Sequence, residues 1–405
     1  MSALSDRRPR LLVLNQYYWP GVEATAHLLT ELCEALAGEY DVTVVTGRLR
    51  GHERDPQAEE RNGVRIVRVH STAYDRAPLS RRAANYMTYL TLGALRALVL
   101  PRPDVVLCMT DPPMVGDVAL VVARRFGAPL VVVSEDVFPE IAVELGRLRN
   151  PALVGLLGFL TRYYLRNADR VVAIGETMER RLQEKGADPE RMRVIPNWVD
   201  TAVLTPQPRD NDWARGKGLA GRFVAMHSGN IGHAQDLDNL IRATTFLRDL
   251  EDFRAVIIGF GARYEEHVAL AARIEADVVR FLPYQPRDML ARSLSAADVH
   301  FVGLSRGLAG YVVPSRLYGI LAVGRPVIAA AEADSETARV VDEVGCGIVI
   351  PPGRPDQLAR VLRELHGGEH DLEEMGRRGR EYVEAEADRE VAVARYADVL
   401  AEVRR

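Results

Sequence analysis

Cysteine is scarce in this chain. Cys33, Cys108 and Cys346 are scattered over 405 residues with no CxxC spacing and no histidine cluster beside them, which excludes a disulfide framework and a structural zinc site. The compartment this predicts is a reducing cytoplasm, with the inner face of the cell membrane as the place of any peripheral contact. Long apolar runs are missing too. Residues 1–10 are polar and basic, and the apolar run at 11–14 is far short of a signal-peptide core or a membrane span. Nothing is therefore expected to export or anchor the chain. There is no excess of positive charge: 52 basic side chains stand against 56 acidic ones, which removes the global field that would hold nucleic acid. HExxH is absent, and the segment from Asp111 to Pro113 is not a cation site. The sequence thus predicts no metal, no cofactor and no covalent serine nucleophile. Lysine is absent beyond Lys217, which leaves no anchor for pyridoxal phosphate in the second half.

What is present is ordinary globular material, 47% apolar and 27% charged, and enough length for two cores. Residues 10–15 form a short buried-strand run, 25–37 carry helical apolar spacing through Leu28, Leu29, Leu32 and Leu36, and 41–46 form the next strand. Strand, helix, strand implies a parallel pair. Further strands are predicted at 64–69, 105–108, 130–133, 171–174 and 192–195, with helix-length stretches between them. A polar loop follows at 200–217, with Pro206, Pro208 and Asn211. Alternation then restarts at 223–228 and continues through 255–258, 278–281, 299–301, 326–330 and 347–350. The expectation is an α/β chain of two Rossmann-like, doubly wound domains facing a central cleft: residues 1–205, residues 206–382, and a final helix, 383–405, crossing back to the first domain. Ligands of such sheets collect beyond the carboxyl ends of the strands.

Several segments at those ends could hold an anion. The loop from Asn15 to Thr25 enters a helix, with Gly21 able to let backbone approach a ligand and Thr25 placed to cap; an ordinary strand–helix connection is the competing reading. The second domain opens with the glycine-rich turn from His227 through Gly229, Asn230 and Gly232 to Gln235. The runs ending at Gly259 and Gly261, and at Tyr284, follow two more strands and suit a flat base packed on backbone. The strongest segment runs from Gly307 to Ile328. Its Pro314 and Ser315 start a helix whose first turn holds Arg316, a cation at the positive end of the dipole. That placement makes sense where a diphosphate neutralises both; a solvated surface arginine is the alternative.

Taken in order, these segments resemble the family 4 retaining glycosyltransferases of the GT-B fold, in particular the branch that builds bacterial surface polysaccharides on a lipid carrier. The resemblance covers nearly the whole chain. It includes Trp19 to Gly21, Asp136 to Glu140, Ala168–Asp169 with Gly175–Glu176, Val194 to Asp200, Ser228 to Gly232, Ala297–Asp298, Val313 to Tyr318 and Gly324 to Val327. It implies an acceptor-binding first domain and a second domain that binds a nucleotide diphosphate sugar, most simply a UDP-sugar. The donor site it implies comprises Gly21, Gly229, Asn230, Gln235, Gly259, Tyr284, Gly310, Val313, Ser315, Arg316 and Leu317. Arg316, Asp136 and Glu135 are the catalytic candidates. Asp136 and Glu135 would orient the acceptor hydroxyl or the donor sugar, while a helix cap at Asp136 stands as the alternative.

Two departures from the family pattern matter. The family's arginine and lysine after the first strand of the second domain fall at Asn230 and Gln235, so Arg316 becomes the replacement cation. Its paired glutamates fall near Tyr311 and Gly319, neither acidic, which shifts the sugar contacts to backbone amides of residues 307–310. The acceptor implied is a lipid-linked or small glycoside. Contact with an anionic membrane is one reading of residues 86–100, flanked by Arg76, Arg81, Arg82 and Arg96; a core-packing helix with solvated arginines is the other. Rival functions are a nucleotide-sugar epimerase of the same fold and a noncatalytic nucleotide-binding partner of a transferase.

Overall fold

Valine-rich runs with no polar face, such as residues 105–109 and 130–134, bury every residue. This is the pattern of parallel strands covered by helices on both sides. The computed structural model describes residues 7–21, 23–74 and 79–404. Contacts divide the chain into two units, one holding residues up to 196 together with 393 onward, the other residues 197–392.

The first unit has strands β1 (Arg10–Leu14), β2 (Asp41–Thr46), β3 (Ala58–Arg61), β4 (Val64–Arg68), β5 (Val105–Met109), β6 (Leu130–Ser134), β7 (Arg170–Ala173) and β8 (Met192–Val194). They lie in the order β3-β4-β2-β1-β5-β6-β7-β8, all parallel except the pairing of β3 with β4. Its helices are α1 (Ala24–Leu36), α2 (Leu79–Leu98), α3 (Val115–Phe126), α4 (Glu140–Glu144), α5 (Pro151–Asn167) and α6 (Glu176–Glu184). α5 starts where the Asn150 side chain accepts the amides of Ala152 and Leu153, with Pro151 leading the first turn. α3 stops at Gly127, which takes the left-handed conformation with φ 61°. Thr25 is not the cap of α1: it lies inside the helix, the cap position is Glu23, and no side chain caps it. β3 was not foreseen, because its Ala-Glu-Glu-Arg sequence carries no apolar alternation; it is an edge strand held by β4.

The second unit has α7 (Asp212–Gly216), β9 (Phe223–Ser228), α8 (Leu237–Ala243), β10 (Phe253–Ile258), α9 (Tyr264–Arg273), β11 (Val279–Leu282), α10 (Leu290–Ser295), β12 (Val299–Gly303), α11 (Arg316–Ala322), β13 (Val327–Ala330), α12 (Glu336–Val344), β14 (Gly347–Ile350), α13 (Pro355–His366) and α14 (Leu372–Glu386). Its sheet is all parallel, in the order β11-β10-β9-β12-β13-β14. Phe253, Phe301, Leu240 and Leu358 centre the apolar core on one face of that sheet. The helical tail breaks at Asp388 into α14 and a last helix, α15 (Arg389–Glu402). At the break Asp388 bridges Val199 and its carboxylate accepts the Thr201 hydroxyl at 2.6 Å.

Candidate active site

In each sheet the strand order reverses beside the first strand of its unit, so the carboxyl ends of β1/β5 and β9/β12 are the places where side chains can converge on a ligand. In the second unit they do. Gly229 follows β9, its amide donates to Ile258 at the end of β10 (2.9 Å), and Gly259 donates in turn to Leu282 at the end of β11 (2.9 Å). Both glycines have backbone that L side chains avoid, φ 141° and 136°. A Cβ on Gly259 would overlap the carbonyl oxygen of Gly229, and one on Gly261 would overlap that of Ile231. The floor of the site is therefore bare main chain at van der Waals distance. Tyr284 stands at its edge, half exposed, its hydroxyl donating to the Phe260 carbonyl at 3.2 Å.

Arg316 closes this floor. Its guanidinium carbon lies 3.5 Å from the position a Gly229 Cβ would take. Nη1 sits 2.9 Å from Nδ1 and 2.8 Å from Nε2 of His227, and the His227 ring also reaches the Asn230 carbonyl at 3.3 Å. The pattern is satisfied when Nε2–H donates to Asn230 and Nδ1 accepts from Arg316. His227 is fully buried, and desolvation together with the adjacent Arg316 holds its ring well below the ordinary histidine range. It stays neutral and does not compete with the guanidinium for an anion. Desolvation lowers Arg316 itself to about 10, so it is charged at neutral pH, and no carboxylate among the described residues pairs with it. A part-buried cation without a counter-ion beside exposed glycine backbone is an incomplete ion pair.

The other predicted donor residues fall around this centre with less to offer. The Gln235 carbonyl accepts the Gly232 amide at 2.9 Å, so that side chain ties its own turn together. Gly307 gives its amide to Glu332 at 2.9 Å, and Leu317 gives its amide to Pro314 at 3.1 Å. Gly310 bends the loop with φ 75°, the side chains of Val313 and Leu317 are in the core, and Ser315 precedes α11 without a side-chain cap bond.

Beside this cluster His300 on β12 is fully buried, with Nε2 against the Leu294 carbonyl at 2.9 Å, and desolvation lowers it to about 4. Because the folded value lies below the ordinary 6.5, the unfolded chain binds more protons between the two. The His300 contribution is present above 6.5 and lost as pH falls towards 4. Going from pH 7 to 5 should remove about 2 kcal/mol through this group. Denaturant unfolding of wild type and His300→Gln at the two pH values should show a smaller pH difference in the variant; equal differences would refute the assignment.

Among the candidates in the first unit, Glu135 and Asp136 follow β6, and both amides approach the Thr110 hydroxyl at the end of β5, at 3.0 and 3.4 Å. Glu135 is buried, whereas Asp136 reaches solvent. Asp136 caps nothing: α4 starts after Pro139 with no side-chain cap. Gly21 donates to Tyr18 at 2.8 Å and lines a recess of about 350 Å³ at the carboxyl ends of β1, β2 and β4, with Gln16, Arg48, His52, Tyr74 and Asn85. Gln16 is buried there, and its Oε1 has no partner among the described residues. Sequence reasoning reached one wall of this recess, the loop from Asn15 to Thr25, and missed the other, the basic run Arg48, Arg50, His52 directly after β2. Arg76, expected beside residues 86–100, lies outside the described residues.

Two families match the chain in succession, the glycosyl transferase 4-like domain over residues 21–198 and the glycosyl transferases group 1 over residues 210–382. The chain is 27% identical over 375 residues to the probable glycosyltransferase WbjE of Pseudomonas aeruginosa, covering 91% of each. It is 30% identical over 249 residues to the putative colanic acid biosynthesis glycosyl transferase WcaI of Escherichia coli, covering 60% of this chain and 61% of that one. Its fold is similar to that of HepE of Anabaena, solved in complex with UDP, with a TM-score of 0.74 at 14% identity over 97% of this chain and 100% of that one.

Proposed function

Since this chain belongs to the glycosyltransferases that join a glycosyl transferase 4-like domain to a group 1 domain, we propose that it moves a sugar from a UDP-linked donor to a lipid-linked or small glycoside acceptor in surface-polysaccharide assembly, with retention of anomeric configuration. The observation that carries the donor half is Arg316, charged and without a carboxylate partner, over the glycine floor of Gly229 and Gly259. UDP in the structure of HepE supports the donor class, and the similarity to WcaI, a putative colanic acid biosynthesis glycosyl transferase, supports a role in surface-polysaccharide assembly.

As the bond from the anomeric carbon to the phosphate oxygen breaks, negative charge grows on the diphosphate. Arg316 then interacts more strongly than in the ground state, and this difference lowers the barrier. The new bond forms from the acceptor oxygen on the same face, and the acceptor proton passes to the departing phosphate oxygen. No side-chain base and no metal is required by this route. Glu135 and Asp136 orient the acceptor hydroxyl or the donor sugar, and the recess beside Gln16 and Arg48 offers acceptor and cation to a hydroxylated, anionic acceptor.

The purified protein should be incubated with UDP-, GDP- and TDP-sugars, lipid-diphosphate glycosides and a metal chelator. Release of UDP that requires acceptor, persists with chelator, and gives a product with the donor's anomeric configuration is expected. Conversion of a UDP-sugar to its isomer without acceptor would establish an epimerase instead, and nucleotide binding without turnover a noncatalytic partner.

A further inference from the structure

The donor reading of Arg316 fixes which way a nucleotide sugar lies on the second unit. Tyr284 follows β11, Gly259 follows β10, and Gly229 follows β9 beneath the Arg316 guanidinium, while the sheet continues from β9 to β12, β13 and β14. A donor with its base at Tyr284 and its diphosphate at Arg316 therefore carries its sugar onward, over the ends of β12 and β13. Adjacent strands lie about 4.8 Å apart, so these two ends give the sugar roughly 10 Å, room for a single hexose.

The groups at those two ends decide which sugar fits. The loop after β12 is tied down on its β9 side: the Ser305 amide donates to Ala234 at 2.9 Å, its hydroxyl donates to His233 at 3.0 Å, and a Cβ on Gly303 would overlap the Gln235 carbonyl oxygen. The Gln235 side chain is spent on Gly232, and Arg306 reaches the Pro352 carbonyl at 3.2 Å, beyond β14. Asp236 accepts the Gly353 amide at 2.8 Å there as well. The Gly307 amide, expected to meet the sugar, is taken by Glu332.

Glu332 itself stands just past β13, partly buried, after the Ala331 amide has closed on the Ile350 carbonyl at 3.0 Å. Its Oε2 accepts the Gly307 amide at 2.9 Å, which holds the carboxylate against the loop after β12. Oε1 has no partner among the described residues, and no basic side chain among them pairs with either oxygen. A carboxylate anchored through one oxygen and open at the other accepts a hydroxyl with a charge-assisted hydrogen bond. It is also a fixed negative charge, so a second carboxylate placed beside it is repelled. We propose that Glu332 selects the donor sugar: its open oxygen accepts a hydroxyl of a neutral hexose, and its charge turns away a hexose that carries a carboxylate. The assignment rests on the proposed donor site at Arg316 and names the class of sugar that site takes.

Glu332→Gln separates recognition from structure. Its amide oxygen still accepts from Gly307, so the loop keeps its tie, while the open oxygen becomes a donor and the charge is removed. Calorimetric binding of UDP, UDP-glucose, UDP-galactose, UDP-N-acetylglucosamine and UDP-glucuronate to wild type and variant tests the assignment without turnover. The wild type is expected to bind UDP-glucuronate about tenfold or more weakly than the best of the neutral donors. In Glu332→Gln that best neutral donor should weaken about tenfold and UDP-glucuronate should tighten about threefold or more, with UDP unchanged. Opposite shifts from one substitution cannot come from a damaged loop, and the UDP affinity checks that the variant folds. UDP-glucuronate bound by the wild type as tightly as the neutral donors, or a variant that shifts neither class or both in one direction, would overturn the assignment and leave the donor site standing. A wild type that binds no UDP would remove the donor reading and the assignment with it.

Discussion

Arg316→Ala should reduce acceptor-dependent nucleotide release by about a hundred- to a thousandfold, the range found when one preorganised donor to a developing oxyanion is removed. Most of the loss should appear in kcat, since the charge on the diphosphate is greater in the transition state than in the bound donor. The fold should survive. Arg316 has no carboxylate partner to strand, and removing a desolvated cation relieves a cost of its own. Arg316→Lys should restore activity only in part, because a single ammonium cannot reproduce a planar guanidinium that meets His227 and the ligand together. Steady-state kinetics with the three proteins would show this order; equal rates in wild type and alanine variant would remove Arg316 from the chemistry.

Gly259→Ala is expected to do more damage than any surface change in the second unit. The added Cβ would overlap the Gly229 carbonyl, in a backbone conformation of φ 136° that alanine does not adopt. Both neighbours are main chain held in the β9–β10–β11 ladder, so neither can swing aside. A loss of about 3 kcal/mol or more in denaturant unfolding is expected, with UDP binding abolished. Gly368→Ala is the control. It also has positive φ, 77°, but nothing within 4 Å, and should cost only the about 1–2 kcal/mol of the left-handed backbone itself. Comparable losses in the two variants would show that the close approach at Gly259 is not what the fold depends on.

The strands of both sheets were legible because buried parallel strands need unbroken apolar runs, and β9 and β14 fall at their predicted limits. β3 was not legible, since an edge strand of alternating exposure can be built from charged residues once β4 supplies the ladder. Arg316 was visible as a cation at a helix start, an arrangement that asks for an anion. Its contact with His227 was not, because residues 89 apart in sequence meet only through the order of β9 and β12. Of the recess at Gln16 and Arg48 only the loop from Asn15 to Thr25 was legible; that it meets the segments after β2 and β4 was hidden for the same reason.

Binding of uridine, UMP and UDP to wild type and Arg316→Ala, followed by calorimetry, tests the central claim most directly. The comparison cancels any general loss of the base site. The wild type should bind UDP more tightly than UMP and uridine, and that advantage should largely disappear in Arg316→Ala while uridine binding is kept. A preference for the diphosphate that is unchanged without Arg316 would contradict the account.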